Sequence, residues 1–279
     1  MNRPLVSIII RTCGRTQVLR QALDSVRNQT YKNIETIVVE DGVNISEDMV
    51  LNEFSDINTK YFFSGEKVGR SRIGNYGLEK VKGKYCNFLD DDDVLYKNHV
   101  QCLVDVLEGS QNKIAYSVAE EKQIFITSYE PYQYKVKRKL IRFKQPFNRI
   151  LLYHTNYIPI QSVMFEYDLF KRAGGFDEKL DALEDWDLWV RYSTLGSFIF
   201  LNQVTSAYYV IYKRKEKNKR DKKMHDVQKV LKKKFYQYNS LINVGQVYED
   251  MDYIIKKYKT GYFKRYVRLI ADFLIYGER

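Results

Sequence analysis

Four consecutive carboxylates, Asp90-Asp91-Asp92-Asp93, follow the apolar run Tyr85-Cys86-Asn87-Phe88-Leu89 and precede Val94-Leu95. Ionised together in a dry site they would repel one another by several kcal/mol. A hard divalent cation, Mn²⁺ or Mg²⁺, removes that cost, taking one or two carboxylates and completing its shell with phosphate oxygens and water. On an extended segment alternate side chains point the same way, so Asp90 and Asp92 would address one ion while Asp91 turns to another part of the ligand. Such a run on its own is more often a solvated acidic turn. Here the apolar flanks anchor it to the core and favour a site. Asp93 is expected to be structural.

A second acidic element is Leu183-Glu184-Asp185-Trp186-Asp187-Leu188-Trp189. Asp185 would project from the first turn of a helix, where the partial positive charge of the N-terminus stabilises a carboxylate. Simple N-terminal capping is the bland alternative. Just upstream, Ala173-Gly174-Gly175-Phe176-Asp177 reads as a flexible turn able to floor a small polar substrate.

The elements that must position these groups are read from periodicity. Val6 to Ile10 is a buried strand ending at Arg11-Thr12-Cys13-Gly14, and Val18, Leu19, Ala22, Leu23 and Val26 recur at helical spacing. Ile34 to Val39 is a second buried strand, closed by Glu40-Asp41-Gly42. Strand, helix, strand over about 40 residues is a right-handed βαβ unit, whose ligands sit at the carboxyl ends of the strands. Thr12 and Asp41 occupy such ends. Further strands are expected at 61–63, 85–89, 114–117 and 123–127, with helices at 69–80 and 99–107. The stretch Tyr129 to Lys144 is Tyr- and Lys-rich and poorly periodic, and reads as a mobile loop.

A chain of 279 residues with 44% hydrophobic residues fits a globular protein, and three widely spaced cysteines argue against a disulfide framework or a zinc site and for a reducing cytoplasm. No run of about 18 apolar residues suggests a spanning helix, and MNRPLVSIII turns polar too quickly for a secretory signal. The net charge of +11 is localised. Met1 to Tyr212 carries 27 basic and 27 acidic residues, whereas Lys213 to Arg279 carries 19 and 8. This shift places the expected domain boundary near Tyr212, with a domain at 1–212 and a basic helical extension at 213–279.

In order and spacing these elements resemble the inverting family 2 glycosyltransferases of the GT-A fold, over about Leu5 to Tyr212. Val6-Ser7-Ile8-Ile9-Ile10-Arg11-Thr12 is similar to the opening strand, Ser25 to Tyr31 to the "SvlnQty" helix end, and Val38 to Gly42 to "vvDDGS". Gly77-Leu78, Gly83-Lys84-Tyr85 and Phe88 to Asp93 resemble "gl..a.Gey..fLDsDD". Ser162-Val163-Met164, Gly174 to Asp177 and Glu184 to Trp189 resemble the acceptor half. The resemblance implies an α/β fold with a mixed, mainly parallel Rossmann-like sheet flanked by helices. It also implies transfer from a nucleoside-diphosphate sugar, by family habit a UDP-sugar, to a glycan or lipid-linked hydroxyl, as in bacterial surface polysaccharide synthesis. Thr12 and Asp41 would contact the base, Asp91 the ribose, and Asp90 and Asp92 the cation on the diphosphate. Asp185 would be the general base, with Glu184 beside it at the sugar.

Several residues depart from the family pattern. Glu40 and Val43 stand where Asp and Ser are usual, and Arg11-Thr12-Cys13-Gly14 replaces "PTYN". The "ARN.Gl" helix reads Ile73-Gly74-Asn75-Tyr76-Gly77-Leu78, losing its Arg, for which Arg70 or Arg72 could substitute. No His occupies the region from Tyr208 to Lys217 where many relatives place a metal ligand. His225 lies in a charged run, and His99 and His154 are expected at the surface or in the acceptor cleft.

Lys213 to Lys234 holds twelve basic and three acidic residues and reads as an exposed linker or a polar helix face. Tyr262 to Tyr276 reads as a basic amphipathic helix. It suits peripheral contact with the inner face of an anionic membrane, or docking on the catalytic domain or on a second copy in a homodimer. Two alternatives have different consequences. Nucleic-acid binding through the polybasic stretch would leave the acidic clusters idle, so no nucleic-acid partner is expected. An inactive assembly partner would have no use for the set Asp41, Asp90, Asp92 and Asp185.

Overall fold

A computed structural model of the chain describes residues 3–212, 214–238 and 244–257. The first half runs β1 (Val6–Thr12), α1 (Thr16–Arg27), β2 (Ile34–Glu40), α2 (Glu47–Glu53), β3 (Thr59–Phe63), α3 (Arg70–Glu79), β4 (Tyr85–Asp90) and the short β5 (Val94–Leu95). Then come α4 (His99–Glu108), β6 (Ile114–Tyr129), β7 (Tyr132–Leu140), α5 (Arg149–His154), a 3-10 turn at Ile160–Ser162 and β8 (Val163–Glu166). The chain continues through α6 (Asp168–Ala173), α7 (Glu184–Ser193), β9 (Phe198–Ile211), α8 (Arg214–Phe235) and α9 (Val244–Lys257).

All nine strands join one mixed sheet in the order β3-β2-β1-β4-β8-β6-β9-β5, with β7 on the outer side of β6. Strands β3, β2, β1 and β4 are parallel, while β8 runs antiparallel to both β4 and β6. Alternation along β1 buries both faces, as a sheet covered by helices on each side requires. Ile8 and Ile10 pack with Leu19, Leu23, Val100 and Leu103, whereas Ile9 packs with Ile37, Phe88, Trp186 and Trp189. Helix α3 lies directly on the sheet because Gly77 faces it: a Cβ there would stand 2.5 Å from Ile9. Register does the positioning. Arg11 pairs with Asp90 across β1 and β4, and Thr12 with Glu40 across β1 and β2.

The structure corrects three sequence expectations. The segment read as a mobile loop at Tyr129 to Lys144 is mostly strand: β6 is a single 16-residue strand from Ile114, and β7 pairs back on it. Its pattern is obscured because most of β7 is exposed on an edge strand, where no alternation is required. The polybasic stretch forms helix α8, which packs through fully buried Leu231, while Ile254 of α9 joins the same core. Lys234 is neutralised by Asp177 and Asp187, which lets this end of α8 pack. His99 is neither surface nor cleft. It is fully buried between Asn87 and Thr205, and burial pushes its pKa down to about 3. The amphipathic segment Tyr262 to Tyr276 lies outside the described residues.

Candidate active site

The carboxyl ends of β1, β2 and β4 and the start of α7 converge on one charged centre. Arg11, 5% exposed, donates from Nε and Nη2 to Asp90 Oδ1 (2.8 and 2.6 Å) and from Nη1 to Glu184 (3.0 Å). Arg70, at the first position of α3, pairs with the second oxygen of Asp90 (3.1 Å) and with Glu184 (2.9 Å). Arg72 instead pairs with Glu178, half exposed and away from the centre. Burial alone would raise the Asp90 carboxyl. Arg11 and Arg70 overcome that and hold it below the ordinary carboxylate range.

Asp91 turns inward, as alternation on a strand end demands, and is fully buried. Its carboxylate accepts from Thr12 Oγ1 (2.7 Å) and from the Arg15 guanidinium. Burial and the neighbouring Asp92 lift its pKa to about 7 against the pull of Arg15. Asp92 points outward, 41% exposed, with one oxygen 3.0 Å from Arg15. Asp93 is buried and accepts from the backbone N–H of Tyr209, tying the cluster to β9. Asp41 receives the backbone N–H groups of Val68 (2.7 Å) and Gly69 (3.2 Å), so it shapes the entry to α3. Its neighbour Glu40 is fully buried and organises two loops. It accepts from the N–H groups of Gly14, Ile45 and Ser46 and from Tyr61.

Asp185 lies across a cavity of about 1110 Å³ whose walls include Arg70, Asp90, Asp92, Glu184, Asp185 and Tyr209. Asn156 donates to one oxygen of Asp185 (3.0 Å) and the Trp186 N–H to the other (2.9 Å). Burial, then the adjacent Glu184, raises its pKa from 3.8 to about 6. Leu183, immediately before this pair, adopts φ 58° and ψ 22°, the only positive φ at a non-glycine among the described residues. A left-handed leucine costs on the order of 1–2 kcal/mol. The helix it starts brings its first two carboxylates, Glu184 and Asp185, to the cavity wall.

The Gly174-Gly175 turn does not floor the cavity. Gly175 lies against Asn75, whose side chain brackets Phe176 through two hydrogen bonds (3.0 and 2.7 Å). Phe176 in turn packs at a tilt against Phe88 and under Arg11. Gly175 is needed for close packing on α3, and Gly174 for its φ of 74°.

Thus Arg70, Asp90, Asp92, Glu184 and Asp185 meet at one cavity, while Thr12 and Asp91 are buried beside it and the partly exposed Asp41 shapes the entry to α3. Three contributors escaped the sequence reading. Arg11 and Arg15 flank Thr12 at a strand end, a signal that was available. Asn156 sits in a short connection with no distinguishing pattern. A cation would fit as a partial shell. Asp92 offers a free, outward oxygen, whereas both oxygens of Asp90 are engaged by guanidinium groups. Among the described residues no group of three His, Cys, Asp or Glu side chains forms a closed metal site. An open site suits an ion completed by diphosphate and water.

Comparison with known proteins bears on the family and the fold. Residues 7–172 match the sequence profile described as Glycosyl transferase family 2. An uncharacterised glycosyltransferase of Rickettsia typhi is 34% identical over 206 residues, 72% of this chain and 62% of that protein. The chain thus spans less than two thirds of the length of this relative. S. aureus TarS 1–349 in complex with UDP-GlcNAc is similar with a TM-score of 0.61 at 15% identity, covering 75% of this chain and 59% of that one. A Pyrobaculum calidifontis mannosyltransferase in complex with GDP-Man and Mn²⁺ has a TM-score of 0.56 at 16% identity, with 74% and 57% covered. The likeness to these structures, at such identity, is one of fold. The matched family, the relatives named as glycosyltransferases and the shared mixed-sheet architecture agree: this chain is a glycosyltransferase of family 2 with a GT-A fold.

Proposed function

We propose that the chain transfers a sugar from a nucleoside-diphosphate sugar, a UDP-sugar, to a hydroxyl of a glycan or lipid-linked acceptor with inversion at the anomeric carbon. The observation that carries this reading is the placement of Asp92 and Asp185 on the walls of one cavity, with Arg70 among them. Solved relatives of the same fold bind UDP-GlcNAc in one case, and GDP-Man with Mn²⁺ in another.

Each residue has a chemical task in this reading. Asp185, with a pKa of about 6, is ionised at neutral pH and takes the proton of the attacking hydroxyl as its oxygen closes on the anomeric carbon. Asn156 and the Trp186 N–H orient its lone pairs. Arg70 faces the diphosphate and is released from Asp90 or Glu184 as the donor enters. Thr12 and Asp41 shape the base pocket, and Asp91 holds Arg15 near the ribose. Asp92, and Asp90 if Arg70 released it, would hold Mn²⁺ or Mg²⁺, which would offset the charge of the leaving nucleoside diphosphate. The basic residues of 213–279 hold the enzyme at the cytoplasmic face of the membrane or against a second copy. Among the described residues no helix is long and apolar enough to cross a membrane.

Thermal-shift measurements with UDP, GDP, dTDP and CMP sugars, with and without Mn²⁺, test the reading. Stabilisation by a UDP-sugar that requires Mn²⁺ is expected. No metal-dependent stabilisation by any nucleotide would overturn it.

A further inference from the structure

The β6–β7 hairpin carries a feature that donor chemistry leaves unused. From Pro131 to Lys144 there are six basic residues, Lys135, Lys137, Arg138, Lys139, Arg142 and Lys144, all exposed, and no carboxylate. Arg142 pairs with buried Glu121; the other five have no ion-pair partner among the described residues. On the neighbouring strand burial, with Lys139 adding to it against the pull of Glu120, holds the Lys122 ammonium pKa down.

Lysines on an edge strand often serve only to block strand pairing. Two features exceed that need. The ladder pairs Gln123 with Arg138 and Ile124 with Val136, leaving Lys137 as the extra residue of a bulge. Bulges beside active sites re-aim a side chain. Here Nζ of Lys137 lies 3.5 Å above the Tyr212 ring and 5.4 Å from that of Phe125. The two rings pack edge to face at 5.1 Å, each more than 40% exposed. The strip is also continuous with the cavity, since Tyr212 and Arg142 both line it with Asp185.

We infer that the hairpin binds an anionic acceptor glycan, whose reacting end enters the cavity while its carboxylate- or phosphate-bearing repeats run outward over Tyr212 and along β7. This rests on the glycosyltransfer reading above and narrows its acceptor. Cations without a carboxylate partner, closely spaced along one strand, suit charges repeated along a chain. A membrane is the weaker fit, because Lys137 covers the two rings that would otherwise enter lipid.

The test compares the wild type with the triple variant Lys135→Glu, Lys137→Glu, Lys139→Glu. A fluorescent hyaluronan oligosaccharide serves as anionic probe, uncharged maltoheptaose as control, and phosphatidylglycerol vesicles as the membrane arm. The wild type should bind hyaluronan in a salt-sensitive manner and ignore maltoheptaose, and the variant should bind about tenfold or more weakly. Its Mn²⁺-dependent stabilisation by UDP-sugar should be unchanged, which shows the fold intact. Equal hyaluronan binding by the variant, or equal binding of maltoheptaose, would overturn the inference. So would vesicle binding lost in the variant without any hyaluronan binding by the wild type. Absence of nucleotide stabilisation in both proteins would instead overturn the glycosyltransfer reading.

Discussion

Arg11 lies across the face of Gly74. A Cβ on Gly74 would stand 3.3 Å from Cδ of Arg11 and 2.6 Å from the Phe176 ring, so the helix position must stay bare for the β1 arginine to reach Asp90 and Glu184. These are the two places where the chain departs together from the family pattern: an arginine is gained at the end of β1, and one is lost from α3. The guanidinium that meets both carboxylates is here supplied by a strand.

Replacing Arg11 tests that exchange. Arg11→Met leaves buried Glu184 and partly buried Asp90 sharing Arg70 alone and should destabilise the fold by about 3 kcal/mol in urea unfolding. Arg11→Lys keeps the charge but not the fork that reaches both carboxylates. It should retain most stability and lose at least about tenfold in kcat. Equal stability of Arg11→Met and the wild type would refute the pairing.

Gly74→Ala gives an independent reading of the same contact. Forcing a methyl against Phe176 should cost about 1–3 kcal/mol. A thermal melt showing no loss would mean that the ring moves freely.

Asp185 makes a paired prediction of activity and stability. Its pKa, raised from 3.8 to about 6, means that its contribution is favourable below about pH 4 and is lost as pH rises through about 6. At pH 7.5 the ionised carboxylate opposes folding by up to about 3 kcal/mol. Asp185→Asn should therefore abolish transfer and raise the Tm at pH 7.5, with the gain vanishing near pH 4. Wild-type kcat should fall on the acid side with an apparent pKa near 6. A Tm unchanged at pH 7.5, or activity flat down to pH 5, would contradict this placement.

Asp90 and Asp92 should separate. Asp92→Asn removes an exposed group and should raise the Mn²⁺ concentration needed for activity while leaving the Tm nearly unchanged. Asp90→Asn deprives Arg11 and Arg70 of an anion and should lower the Tm by several degrees without metal present. Isothermal titration with Mn²⁺ and UDP, beside melts of both variants, checks the split.

The extension should stabilise the helix that carries Asp185. Asp187 is fully buried and is held by Arg191, Lys234 and Tyr238, the last two contributed by α8 and the residues after it. Lys234→Met should destabilise by about 2–4 kcal/mol and reduce kcat more than it changes donor KM. A silent Lys234→Met would show that α8 is not a clamp.

Much of the acidic chemistry was legible in the linear chain for a simple reason. Strand ends and helix starts are written locally: Phe88-Leu89 before Asp90, Ile8 to Ile10 before Thr12, and the apolar spacing of α1 each require only near neighbours. Glu40 shows the limit. Its type and place at the end of β2 were plain, yet its work is to hold Gly14 and Ser46, which no local pattern states. The hairpin was missed because an exposed edge strand carries no burial pattern, and the packing of α8 because Lys234 meets its partners only after the chain has folded back on α7.

From the sequence alone followed the family, the parallel βαβ start and the two carboxylate groups at 90–93 and 184–185, since each is encoded by residue type and short-range periodicity. Only the tertiary structure decided which carboxylates are free. Arg11 meets Asp90 79 positions away and Glu184 173 positions away. Those distances are closed by the register of β1 against β4 and by the packing of α7 over the sheet. That is why Asp90 is held by arginines, Asp91 is turned into the core, and Asp92 and Asp185 are left facing the cavity.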